Sequence, residues 1–186
     1  MGPNRARALA QALKVTDAHK VNLTYNRLDP GTGKMLMESI NPQITDLNLE
    51  KNSLGINNVF VDALVKHLDR HDNCLQSLNL SQNRVTDKHV ESIVNILTET
   101  KNDCLKKLKL AKNRLTCDAA FALRDLYKLY NGAVLENLDL SNNKIYLPGA
   151  LAIAEIVKKD PITLRVIDLS WNLVSKAPPK NAKEEE

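Results

Sequence analysis

Residues 135–145 read Leu-Glu-Asn-Leu-Asp-Leu-Ser-Asn-Asn-Lys-Ile, with apolar side chains at the first, fourth, sixth and eleventh positions and asparagine at the ninth. The frame recurs upstream in Leu105, Leu108, Leu110, Asn113 and Leu115, and again in Leu75, Leu78, Leu80, Asn83 and Val85. Ile44, Leu47, Leu49, Asn52 and Leu54 form a further copy, and Ala18, Val21, Leu23, Asn26 and Leu28 a weaker one. Downstream, Leu164, Ile167, Leu169, Asn172 and Val174 complete the set. The frame asparagines are separated by 26, 31, 30, 30 and 29 residues. Six copies at so regular a period mark a stacked repeat array with one continuous core.

A helical pattern follows each frame. Residues 58–70 align Val61, Leu64 and Leu68, and residues 87–98 align Val90, Ile93, Val94 and Leu97. Residues 118–130 align Ala119, Ala120, Leu123, Leu126 and Leu129, and residues 149–159 align Ala150, Ile153, Ala154 and Val157. Asp87 and Asp118 suit a helix N-cap or first turn, and Pro148 suits a helix start. The shortest helix lies between Pro30 and Pro42, with Met35, Leu36 and Ile40 as its apolar side. Residues 5–14 form an earlier helix with Ala6, Leu9, Ala10 and Leu13 on one face. Each unit is therefore a short strand, a turn and a helix, and the helix returns the chain so that successive strands run parallel. Strands pack about 4.8 Å apart and helices about 8–10 Å apart, so the array curves with strands on the concave side. The expected fold is an α/β right-handed solenoid, a horseshoe segment. Residues 1–17 form a capping or partial-repeat helix, 18–175 six repeats with the last incomplete, and 176–186 a mobile tail rich in proline and charge.

Long units with full helices resemble the ribonuclease-inhibitor-like class of leucine-rich repeats over about residues 5–175. The resemblance implies that Asn26, Asn52, Asn83, Asn113, Asn143 and Asn172 bond the backbone of adjacent turns. Ribonuclease inhibitor alternates two repeat types with Asn or Cys at this place, whereas every copy here has Asn, so ribonuclease inhibition is not carried over. The pattern looks closer to the repeats of Ran GTPase-activating protein and of many cytoskeletal and ciliary adaptors.

Composition narrows the function. A net charge of +4, partly in Lys176, Lys180 and Lys183, is too diffuse for nucleic-acid binding as the main role. No apolar run suits a membrane span, and Met1–Lys20 lacks the apolar stretch of a secretory signal. Ala6 breaks the myristoylation pattern after Gly2. Three cysteines suit a reducing compartment, so the cytoplasm, or a derivative such as the cilium, is the expected location.

Candidate chemistry is sparse. Asp29-Pro-Gly-Thr-Gly-Lys-Met35 resembles the end of a phosphate-binding loop, but Leu28 replaces the first required glycine and Met35 the hydroxyl residue. His67, His71 and Cys74 have the i, i+4, i+7 spacing of one helical face, which could hold zinc or be an outer polar face entering a turn. Cys74 and Cys104 each precede a frame leucine and read as packing residues on neighbouring rungs, and Cys117 has no basic partner to activate it. No catalytic residues, metal or cofactor are assigned.

The outward strand positions offer the functional surface: Asn22 and Thr24, Asn48 and Glu50, Asn79 and Ser81, Lys109 and Ala111, Asp139 and Ser141, Asp168 and Ser170. This row is a solvated face or a partner footprint, and Asn79 is expected to tolerate replacement without loss of stability. One residue past each frame asparagine stand Arg27, Ser53, Arg84, Arg114, Lys144 and Leu173, a mostly basic rim suited to an acidic partner surface. Tyr25 and Trp171 directly precede a frame asparagine and serve as binding anchors, or Trp171 covers the end of the core. The reading is a non-catalytic protein-binding module inside a hetero-complex rather than a homo-oligomer, without nucleic acid or membrane. The alternative is a regulator of a small GTPase, with Arg27, Arg84 and Arg114 as candidate arginines.

Overall fold

The computed structural model describes residues 3–129, 135–158 and 163–176. Strands and helices alternate: α1 Pro3–Val15, β1 Lys20–Asn22, α2 Pro30–Ser39, β2 Asp46–Asn48, α3 Val59–Leu68, β3 Ser77–Asn79, α4 Asp87–Glu99, β4 Lys107–Lys109, α5 Cys117–Leu129, β5 Asn137–Asp139, α6 Leu147–Val157 and β6 Val166–Asp168. Among the described residues the strands form one parallel sheet in sequence order. The register pairs Val21, Leu47, Leu78, Leu108, Leu138 and Ile167 in a line, so the frame position is also the spatial position. The chain is a βα solenoid.

The core is the stack of frame residues against the inner helix faces. Ile44, Leu54, Leu78, Leu80, Leu108, Leu110, Leu138 and Ile145 have no exposed surface. Two helices are rotated from the expected phase. On α5 the buried set includes Tyr127, while Leu129 is 75% exposed. The Tyr127 hydroxyl donates to the Leu135 carbonyl at 3.0 Å, so burial of the ring is compatible with its polar end. On α6 the buried residues are Gly149, Ala152, Ile153 and Ile156, whereas Ala154 and Val157 face out. A helix with this many apolar residues gives no sharp amphipathic phase, so its packed neighbours choose the face.

The glycine-rich stretch is a packing device. Pro30 opens α2, and the Asp29 carboxylate accepts the Thr32 backbone N–H at 2.7 Å as its N-cap. A Cβ on Gly33 would stand 2.5 Å from Leu54 Cδ2 and 2.7 Å from Phe60 Cδ2, so glycine is there to let α2 approach the next rung. The zinc spacing is also dissolved: α3 ends at Leu68, so His71 and Cys74 leave the helix and no common face forms. His67 is buried, not on an outer polar face, and burial, aided by Arg70 and opposed by Asp72, lowers its pKa to about 4. The tail expected beyond Val174 lies, apart from Ser175 and Lys176, outside the described residues.

Candidate protein-binding face

The frame asparagines tie each turn to its neighbours. Asn113 accepts the N–H groups of Asn83 and Val85 at 3.0 and 2.9 Å and donates to the carbonyls of Leu80 and Leu110 at 3.1 and 2.9 Å. Asn52, two rungs earlier, and Asn143, one rung later, repeat this pattern. Asn83 accepts from Leu54 N–H and donates to Leu49 and Ser81 carbonyls. Asn172 closes the ladder with Ile145 N–H and the carbonyls of Leu140 and Leu169. Each amide spends its hydrogen-bonding capacity on backbone groups that the solenoid would otherwise bury unpaired.

The residue before each frame asparagine adopts the left-handed conformation: Tyr25, Lys51, Gln82, Lys112, Asn142 and Trp171 have φ between 52° and 57°. None is glycine, and the five other than Asn142 each cost about 1–2 kcal/mol. Inter-rung bonding offsets the cost. The N–H groups of Tyr25, Lys51, Gln82, Lys112 and Asn142 reach carbonyls of the next rung at 2.8–3.0 Å. This turn throws the side chains outward, leaving Tyr25 71% and Trp171 83% exposed. Trp171 therefore does not cover the core. Tyr25 also borders a shallow depression of about 510 Å³ with Thr24, Lys51, Asn52 and Gln82.

The outward strand row has more structural duty than its sequence suggests. Asn22, Asn48, Asn79, Asp139 and Asp168 each accept, through Oδ1, the backbone N–H two residues on, at 2.9–3.1 Å. Thr24 and Ser141 add their hydroxyls to the same carboxamide or carboxylate oxygen at 2.7 Å. These are Asx turns that close the strand. Asn79 also donates to the Glu50 carboxylate at 3.3 Å, and Gln82 donates to its other oxygen at 3.2 Å. Asn79 is thus not freely replaceable, contrary to the sequence expectation. Ser81 is buried rather than outward, and its hydroxyl accepts the Ala111 N–H at 3.2 Å. Of the paired hydroxyl side of the row, Ser141 is half-buried and Ser170 exposed.

Sequence reasoning missed a parallel row. Strand register aligns Lys20, Asp46, Ser77, Lys107, Asn137 and Val166, two residues before the row containing Asn22 and Lys109. Period-two alternation, extended one step upstream, would have found it. In the basic rim, Arg27, Arg84, Arg114 and Lys144 are all exposed, but only Arg27 and Arg84 are left-handed, so the rim is not conformationally uniform.

Among the described residues no helix is long and apolar enough to cross a membrane. The "Leucine Rich repeat" family model matches residues 71–94 and 133–154. Comparison with curated protein sequences gives no match. Among solved structures, the tropomodulin C-terminal domain of Caenorhabditis elegans is similar in fold, with a TM-score of 0.60 at 14% identity, covering 82% of this chain and 89% of that one. The six-fold frame, its asparagine ladder, the parallel solenoid and the matched repeats agree: the chain is a leucine-rich repeat protein.

Proposed function

We propose that the chain is a non-catalytic protein-binding module, a subunit of a larger assembly, that engages its partner through the concave sheet. Asp46 and Glu50 mark the second rung, Lys107 and Lys109 the fourth, and Asp139 and Asp168 the last two. The acidic second rung and the basic fourth are separated by about 10 Å, and Asp139 stands in register one rung beyond Lys109, an alternation that fits complementary charges on a partner surface.

Lys109 carries the reading. The five other rungs place Asn or Asp there and use it to close an Asx turn. A lysine cannot close that turn, so the Ala111 N–H is taken by the Ser81 hydroxyl of the preceding rung at 3.2 Å, and Lys109 stands exposed beside Lys107. Departures from a locally favourable choice are expected at functional positions. Tyr25 and Trp171, at opposite ends of the row, supply aromatic anchors, and Arg84 and Arg114 extend the basic contribution along the rim.

The test is quantitative affinity capture from the native cells with wild-type and Lys107→Glu/Lys109→Glu baits. A stoichiometric protein lost by at least tenfold from the variant, at unchanged thermal stability, supports the concave footprint. Equal recovery on both baits removes this surface as the footprint.

A further inference from the structure

The opposite, convex side carries a second feature that the concave reading leaves unused. Between α4 and α5 runs a groove of about 670 Å³. Its floor is apolar: Val94 from α4, and Phe121 and Ala122 from α5. Leu129 extends the apolar surface at the far end and is 75% exposed, although Leu126, three residues earlier, is 2% exposed in the core. Asp118, Ala122, Asp125 and Leu129 follow one another at helical spacing, so one face of α5 lines the groove along its length.

The rim is acidic although the whole chain is net basic. Two of its carboxylates are committed within the fold. Asp87 accepts the Thr116 N–H and hydroxyl, each at 2.8 Å, and Asp125 pairs with Arg124 at 2.8 Å. Glu91, Glu99 and Asp118 have no ion-pair partner among the described residues; Lys88 lines the groove with them, and the Arg124 guanidinium, paired with Asp125, lies 5.3 Å over the Phe121 ring. Three available carboxylates over an apolar floor select a ligand that is apolar on one side and cationic on its flanks. From Asp118 to Leu129 the groove face runs about 16 Å, which matches three turns of helix.

We infer that the α4–α5 groove docks a basic amphipathic helix of a partner protein, with apolar residues at i, i+4 and i+7 seated over Val94, Phe121 and Ala122. Lysine or arginine side chains flanking that stripe meet Glu91, Glu99 and Asp118. This site is separate from the concave face, so the module can hold two partners at once.

The probe is a designed 14-residue helix of alanine, with leucine at those three positions and lysine on both flanks, titrated into the ¹⁵N-labelled chain. Amide shifts confined to α4 and α5, weakened by salt and absent with glutamate in place of lysine, are the expected result. Glu91→Lys/Asp118→Lys should weaken binding at least tenfold, and Ala122→Leu, which fills the floor without altering charge, should do the same. Both replace residues with exposed or half-exposed side chains, so thermal unfolding checks that the fold is retained. Shifts on the concave strands, no shifts, equal binding of the glutamate helix, or unchanged affinity in both variants would overturn the assignment.

Discussion

Asn113 and Asn26 occupy the same position of the same repeat, yet one holds the array together and the other finishes it. Asn113 is 9% exposed and its side chain joins two rungs, accepting from Asn83 and Val85 and donating to Leu80 of the preceding rung and to Leu110 of its own. Asn26 is only half-buried, and its amide donates to Thr24 within its own turn. Asn172, at the other end, is half-buried and accepts one backbone N–H among the described residues, as Asn83 does inside the array, where Asn52, Asn113 and Asn143 accept two. Repetition assigns the residue; a preceding strand for its side chain to reach, which Asn26 lacks among the described residues, assigns its energetic weight.

The largest expected effect tests that contrast. Asn113→Ala should cost at least about 3 kcal/mol in urea-monitored stability, because several buried backbone groups lose their partner at once. Asn26→Ala should cost less than about 1 kcal/mol, and equal losses would end the distinction between inner and terminal rungs. Gly55 offers a second inner-rung test. A Cβ there would lie 2.5 Å from the Arg84 carbonyl oxygen and 2.7 Å from Val85 N, both backbone atoms. Gly55→Ala should therefore destabilise by about 3 kcal/mol, more than Gly33→Ala at about 1–2 kcal/mol, where flexible side chains yield. The reverse order in a pair of melting curves would refute the backbone-contact account.

Acid should probe the inner rungs next. His67 has its pKa lowered to about 4 from 6.5, so between those values the unfolded chain binds the extra proton. Stability from the neutral ring is complete above about pH 6.5 and is lost as pH falls toward 4, by up to about 3 kcal/mol. His89, whose pKa is also lowered by burial against the opposing Asp62, adds in the same direction. Its Nδ1 accepts the Thr86 N–H and its Nε2 pairs with Asn58 Oδ1, an arrangement that suits the neutral ring. A His67→Leu chain should show a shallower pH dependence from pH 7 to 5; an identical slope would rule out His67 as its source. The smallest effect belongs to the surface. Trp171→Ala should change stability by less than about 0.5 kcal/mol, and a larger loss would show that the indole is packed in solution.

Much of this architecture was legible because its period is imposed covalently. Leucines recurring with the frame asparagine predict strand, turn and helix in order, and the observed register matches the frame residue for residue. Helix phase was less legible. Leu129 and Tyr127 are both apolar enough for a core, and the Leu135 carbonyl within reach of the Tyr127 hydroxyl, visible only in the tertiary structure, satisfies the polar end that burial would leave unpaired. The candidate face was half legible. Lys109 was recognisable as an outward residue, but the Asx turns that make its neighbours structural require the backbone geometry to be seen.

The sequence by itself determined the repeat, its parallel strands and the identity of the ladder residues, because hydrophobic periodicity and a buried amide admit one arrangement. The tertiary structure alone decided that Ser81 is buried, that Tyr25 and Trp171 point outward from left-handed turns, and that α4 and α5 leave an acid-rimmed groove. Those features depend on how neighbouring rungs approach one another, a distance that no single repeat encodes.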